Sequence, residues 1–424
     1  MPEIRAFRGI LYDPARVNIA GVVAPPYDVI SPDQMHSLHD KNPYNVVRLI
    51  LGREEDRYSS AAKYSEVWKR EGVLVTDETE SIYVLSQTFE LSNGKKCERR
   101  GFVAACRLED LGRGSIIPHE KTLSKPKEDR FRLFQATGAM FSQIFCLYSD
   151  PSSRLNGIIN DVAGRRAEID IEFDAVRHRL WKIRNRSDIF CIEDFLRSQK
   201  VYIADGHHRY ETALVYRDAM RLKSPNSAVN APFNFVPIYF TNLNDANLVI
   251  LPTHRIIHSL PSFNPSQFLD SLNYWFHQEV CVSLEELNRA LAAATRHAYG
   301  LLLPQSPYFV LLVLKNERAM EIEKTASAVT RLDVAILHSL VFKGVLGMTE
   351  ESQEKRLNID YEQNINEVKE KVMSGNAQAA FLLNPTRVEQ LLACAEAGLT
   401  MPQKSTYFYP KLLSGLVMYS FREE

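Results

Sequence analysis

The sequence predicts an α/β fold of the α+β kind, with a mixed sheet and flanking helices. Three observations carry this. Short apolar runs rich in β-branched and aromatic residues recur along the chain and are separated by stretches with helical spacing. The run Val201-Tyr202-Ile203-Ala204 leads through Asp205-Gly206 straight into a helical pattern marked by Ala213, Tyr216 and Met220. The chain has 424 residues, 45% hydrophobic and 24% charged, enough to bury a sizeable core and to make two or more domains.

Taken in order, residues 58–70 read as a helix with Tyr64 and Val67 or Trp68 on its apolar face. Residues 82–89 and 101–108 read as strands on either side of an Asn93-Gly94 turn. A further strand is expected over 141–148, a helix over 154–167 after the Asp150-Pro151 break, and a strand with exposed alternation over 174–183. The runs FVPIYF and LVILP, between Phe233 and Leu251, read as two more strands around a polar turn. Beyond Leu260 the helical spacing predicts helices over 266–276, 284–295, 332–342, 364–373 and 387–397. Strands are expected over 299–303, 308–315 and 379–383. The proline and serine cluster Pro261 to Ser266 places a domain change near residue 262, dividing the chain into 1–262 and a smaller 263–424. No internal repeat or low-complexity segment is found.

Composition narrows the function. A formal net charge of −1 argues against a dominant electrostatic mode of nucleic-acid binding. No apolar stretch is long enough to span a bilayer and Met1 to Arg5 lacks a signal-peptide core, so a soluble cytoplasmic protein is expected. The six cysteines form no CxxC pair, which removes zinc-ribbon and redox-motif readings and leaves buried free thiols.

The stretch Asp205-Gly206-His207-His208-Arg209 holds the densest chemistry. A glycine at a strand-to-helix turn lets backbone come close to a ligand, and the first N–H groups of the helix, with its dipole, favour an anion. Arg209 adds a fork suited to phosphate or carboxylate, and the two histidines add donors or proton carriers. The same residues could instead cap the helix and pair with nearby acids. Neither a GxxxxGK[ST] loop nor a GxGxxG after a strand is present.

Other clusters could complete a site. The prolines of Ala24-Pro25-Pro26-Tyr27-Asp28 stiffen a turn that presents Tyr27 and Asp28, or form a structural corner. Pro118-His119-Glu120-Lys121-Thr122 packs an imidazole, a carboxylate and an amine into consecutive positions. The charge run from Lys125 to Arg132 reads as a solvated face. Gln403 to Lys411 joins Lys404 and Lys411 with hydroxyls and aromatics, a loop that could close over a nucleotide or simply pack as a tail. Thr253-His254-Arg255 follows the LVILP strand, and ligands gather outside the carboxyl ends of strands in α/β sheets. The expected site therefore gathers Asp205 to Arg209, His254 and Arg255 with Asp28, His119 and Glu120.

The segment YIADGHHRYETAL, with VVAPPYDVI, NPYNVVRLIL, RRGFVAACRLED, PHEKTL, PKEDRFRLF, ILPTHR, AAFLLNPTRVEQ and MPQKSTYFYPKLLSGL, resembles the bacterial and archaeal family called domain of unknown function 1015 across essentially the whole chain. Its DGHHR turn is also similar to the phosphate-binding turn of the ParB and sulfiredoxin superfamily, which includes the free serine kinases. That resemblance implies that Gly206, His208 and Arg209 touch phosphate, with Asp205 and His207 nearest the reacting group. The expected activity is a phosphotransferase that uses ATP or ADP with Mg2+ on a small hydroxyl compound, L-serine being the first to try. The nucleotide phosphates would lie on Gly206 and Arg209, Glu120 or Asp205 would take the hydroxyl proton, and His208 and Lys404 would neutralise developing charge. On this reading Arg209→Ala abolishes turnover and leaves the fold intact. Two alternatives stay open: a metal-dependent phosphohydrolase using Asp205, His207, His208, His119, Glu120 and His254, and a non-catalytic ParB-like nucleotide-binding module.

Overall fold

The computed structural model describes residues 1–120, 122, 124–295, 297–316 and 327–423. The chain forms two compact units: residues 1–118, 122–249 and 410–424 make the first, and residues 119–121 and 250–409 the second. The division thus falls at Val249, ahead of the expected 262, because the strand that follows pairs inside the second sheet. The last segment returns to the first unit, where it satisfies buried polar groups: Gln87 Nε2 donates to the Lys411 carbonyl at 2.9 Å, and Gln143 donates to that of Val417.

The first unit is built on a nine-stranded mixed sheet. Its strands in chain order are β1 (Ile4–Arg5), β2 (Ile82–Glu90), β3 (Lys96–Arg107), β4 (Ile116–Ile117), β5 (Ile144–Tyr148), β6 (Ile169–Phe173), β7 (Val176–Ile183), β8 (Val201–Asp205) and β9 (Phe235–Asn242). Across the sheet they run β4-β8-β5-β9-β3-β2-β7-β6, with β1 beside β3. The pairs β4–β8 and β5–β9 are parallel, and the other pairs are antiparallel. The hairpin β2–β3 turns where Asn93-Gly94 predicts it: Gly94 has φ +80, and Asn93 Oδ1 accepts the Lys95 N–H at 3.0 Å. Strand β9 is buried along its whole length, as an apolar run in a sheet centre must be.

Helices α1 (Arg57–Arg70), α2 (Ser124–Thr137), α3 (Asn156–Ala163), α4 (Arg186–Arg197) and α5 (His207–Lys223) flank this sheet. Asp56 caps α1 through the Ser59 N–H, and Asn185 caps α4 through that of Ser187. The charge run expected as a solvated face lies within α2, and it is not all solvated. Arg130 is buried, donating to the Ile50 carbonyl at 2.8 Å and pairing with Asp129.

The second unit carries a six-stranded sheet in which every pair is antiparallel. Its strands are β10 (His254–Ile257), β11 (Phe276–Cys281), β12 (Ala298–Leu302), β13 (Phe309–Leu314), β14 (Ile359–Glu362) and β15 (Ala379–Leu382), ordered β11-β13-β12-β15-β10-β14. Phe276, expected at a helix end, opens β11 instead: helix α6 (Pro265–Leu272) stops short of it, and Phe276 pairs with Leu314. Helices α7 (Leu284–Ala293) and α8 (Ile365–Met373) supply Leu287, Leu291, Val368 and Val372 to one of this unit's apolar clusters. The other cluster takes Leu337, Val341 and Phe342 from a stretch expected as an ordinary apolar helix, which is α-helical over Asp333–Ile336 and then π-helical over Leu337–Val345. Among the described residues no helix is long and apolar enough to cross a membrane. Five of the six cysteines are buried thiols as expected, and Cys191 is exposed.

Candidate functional site

Strand β8 is buried as far as Ala204 and delivers Asp205, half-buried, to the turn. Gly206 there has φ +92 and ψ +26, a left-handed conformation that a residue without a Cβ adopts at little cost. Asp205 Oδ1 accepts the Gly206 N–H at 2.8 Å, and α5 begins at once, with no side-chain cap bond at its start. Its 17 residues aim the positive end of the helix dipole at this turn. Further along, Thr212 donates to the His208 carbonyl at 2.6 Å, while Thr122 and Lys127 hold Glu211 at 2.7 and 2.8 Å.

Arg209 does not reach out to solvent. It is buried, and its Nη1 donates to Ser142 Oγ at 3.0 Å and to the Gln143 carbonyl at 2.5 Å. Its Nη2 lies 3.9 Å from Asp205 Oδ2. The guanidinium thus fastens the start of α5 to the segment that precedes β5, so the expectation that Arg209→Ala leaves the fold intact needs correction.

Lys411 comes closer to Asp205 than Arg209 does: its Nζ donates to Oδ2 at 3.1 Å. Its backbone is fixed by a polar row inside the sheet, where His178 stands opposite Gln87 and Gln87 opposite Arg99 on β7, β2 and β3. Gln87 holds the Lys411 carbonyl, and Arg99 donates to that of Pro410 at 2.5 Å while stacking 4.7 Å from the Phe145 ring centroid. Burial depresses the Arg99 pKa, and the nearby Tyr239 and Asp205 act in the opposite sense. Burial and the Arg99 charge hold the His178 imidazole down at about 3, so it is neutral.

Tyr27 and Asp28 belong to the same neighbourhood. Burial foremost, then the Asp28 charge, pushes the Tyr27 phenol up to about 12, while Arg130 and Arg209 act against this. The Arg130 guanidinium lies 4.2 Å from the Tyr27 ring centroid.

The remaining expected site residues fall in the second unit. His119 is buried, with Nε2 3.3 Å from Thr406 Oγ1, and its carbonyl accepts the Met401 N–H at 2.7 Å. Glu120 forms a backbone bridge with Met401, so the PHEKT and QKST motifs do meet within this unit. Lys121 lies outside the described residues. His254 and Arg255, expected just past a strand end, open β10 itself and are buried there. His254 Nδ1 accepts the Leu383 N–H at 3.2 Å, and burial, then the Arg255 charge, lowers its pKa to about 4. Arg255 donates to the carbonyls of Thr253 and Lys404, and burial lowers its own pKa to about 10. The first unit thus gathers Asp205, Gly206, His207, His208, Arg209 and Asp28, whereas His119, Glu120, His254, Arg255 and Lys404 belong to the second. Among the described residues no group of three or more His, Cys, Asp or Glu side chains is arranged to hold a metal ion.

Sequence reasoning named Lys404 for charge neutralisation and not Lys411, which pairs with Asp205, and it missed the anchor Ser142-Gln143. A serine and a glutamine at the head of an apolar strand were the available signal for that anchor.

Three solved structures show a faint likeness to the chain. One is a free serine kinase in complex with AMP, 13% identical over 69% of this chain and 83% of that chain, with a TM-score of 0.32. Another is a conserved hypothetical protein from Pyrococcus furiosus, 11% identical over 70% and 90%, TM-score 0.32. The third is SbnI with C-terminal truncation from Staphylococcus aureus, 10% identical over 74% and 86%, TM-score 0.35. Likenesses this faint carry neither activity nor ligand across to this chain. No curated protein matches it in sequence. Residues 4–335 match the model of the family described as "Protein of unknown function (DUF1015)", and the chain belongs to that family.

Proposed function

We propose that the first unit is a nucleotide-dependent phosphotransferase that passes a phosphoryl group to a small hydroxyl compound, with L-serine the first acceptor to test. The observation that supports this reading is the Asp205–Lys411 pair at a left-handed glycine turn, in front of the N-terminus of a 17-residue helix.

In this mechanism phosphate oxygens of ATP or ADP lie against the first-turn N–H groups of α5 and the Lys411 ammonium, which together offset charge developing on the transferred group. His208, half-buried beside them, adds a donor. Asp205, oriented by the Gly206 N–H and by Lys411, accepts the proton of the attacking hydroxyl. Arg209 acts from behind by holding the turn on Ser142 and Gln143. Asp205 and Asp28 are carboxylates suited to Mg2+, and the ion would supply charge neutralisation of the phosphates when bound with nucleotide.

The test is a thermal-shift titration with ATP and ADP, with and without Mg2+, followed by a radiolabelled-phosphate transfer assay on L-serine and related alcohols. Nucleotide at a hundredfold excess over its Kd stabilises the native state by about 2.7 kcal/mol, a readily measured rise in Tm. Lys411→Met is expected to abolish that rise and the turnover while keeping the Tm of the free protein within a few degrees. Failure of both nucleotides to raise the Tm of the native chain sinks the proposal.

A further inference from the structure

The second unit holds a pocket of about 260 Å3 whose walls include Val329, His338, Gln353, Tyr361, Met401 and Gln403. Arg255, paired with Tyr361 across β10 and β14, holds its guanidinium 5.3 Å from that ring centroid and is 1% exposed. Two backbone carbonyls accept its Nη donors, and its Nε is buried with no hydrogen-bond partner among the described residues. Among those residues no carboxylate forms an ion pair with it; Glu120 acts on it from farther off. A buried cation with two carbonyl acceptors and no ion pair among these residues leaves a positive field in a low-dielectric wall.

That field reaches the pocket. His338, on the π-helical stretch, is held down at about 3 by burial first and by Arg255 second, so its ring is neutral and offers one donor and one acceptor. A second cation, Arg356, stands 5.3 Å from the same Tyr361 ring. The acidic residue of the lining, Glu350, points its carboxylate to solvent at 82% exposure, 3.3 Å from Lys343. Val329, Met401 and Pro402 add apolar surface to the wall, and Thr400 and Gln403 add polar groups.

We propose that this pocket binds a small organic monocarboxylate, its charge drawn toward the Arg255 side by His338 and Gln353 and its apolar body packed on Val329, Met401 and Tyr361. The inference is independent of the phosphotransferase reading, since it uses no residue of the first unit.

The experiment is ligand-observed NMR and calorimetry on the full chain at pH 7 with benzoate and with its neutral isostere benzamide. Benzoate is expected to bind at least about tenfold more tightly than benzamide. Val329→Trp, which fills the cavity, and Gln353→Glu, which sets a like charge in it, are each expected to weaken benzoate by about tenfold or more. Gln353 is half-exposed, so its variant keeps the test alive if Val329→Trp does not fold. Equal binding of the two probes, no binding of either, or benzoate affinity unchanged in a folded variant overturns the proposal.

Discussion

At the scale of single residues, the turn at Gly206 depends on a backbone conformation and on one buried guanidinium. A Cβ at Gly206 would lie 3.1 Å from the Arg209 guanidinium, at a φ of +92 that side chains rarely adopt. Gly206→Ala is therefore expected to cost about 1–3 kcal/mol, from left-handed strain plus displacement of Arg209. Arg209→Ala is expected to cost at least as much, because it strands the Gln143 carbonyl and Ser142 hydroxyl in the interior. Urea denaturation of both variants checks this, and native stability in either removes the anchoring role. The chemistry of these residues was legible in the sequence, since strand, glycine, charges and helix stand consecutively. The partners were not: Ser142, Gln143 and Lys411 are distant in sequence and converge through β5 and the returning C-terminal segment.

At the scale of elements, the core of the first sheet depends on a glycine whose place in a strand looks unfavourable. Gly101 lies in β3, and a Cβ there would come 2.3 Å from the Phe240 backbone oxygen and 2.5 Å from the Tyr239 ring, both on β9. The close approach lets Tyr239 lie beside Arg99 in the polar row, 5.8 Å between guanidinium and ring centroid. Gly101→Ala is expected to force β3 and β9 apart and to destabilise the first unit by about 1–3 kcal/mol, the range for overpacking a core. A wild-type urea midpoint in that variant shows that the β9 backbone and the Tyr239 ring can both give way at little cost. Strands such as β9 and β15 were readable because burial leaves continuous apolar runs, and the β2–β3 hairpin because Asn-Gly favours one kind of turn. The antiparallel order of the second sheet was not readable, since β10 finds its neighbours β14 and β15 more than a hundred residues away. Helix α2 is hidden for another reason: its charge run reads as a solvated face, whereas Arg57 and Tyr58 bind Asp129, and Arg130 lies buried against Tyr27.

At the scale of the whole molecule, buried neutral histidines set how the fold responds to acid. Burial holds His178 in the first unit at about 3, and His254 and His338 in the second at about 4 and 3. In the unfolded chain each titrates near about 6.5. Between those values the unfolded state binds more protons than the folded one, so stability rises with pH across the window and falls as pH drops from about 6.5 toward 4. Each of these three histidines contributes a loss of about 2 kcal/mol at pH 5 relative to pH 8, and His39 in the first unit, lowered mainly by burial, adds to it. Carboxylates whose pKa values are held low, such as Asp129 by Arg130 and Arg57 against its burial, add to the loss only at lower pH. The Tm is thus expected to fall steadily from pH 7 to pH 5, before most carboxylates titrate. His338→Gln, which keeps a polar side chain of similar length but cannot be protonated, is expected to flatten that slope by about a quarter to a third. A calorimetric series over pH 8 to 4.5 on both proteins decides the matter: a flat native profile, or identical slopes, means that these imidazoles already take up protons in the folded chain.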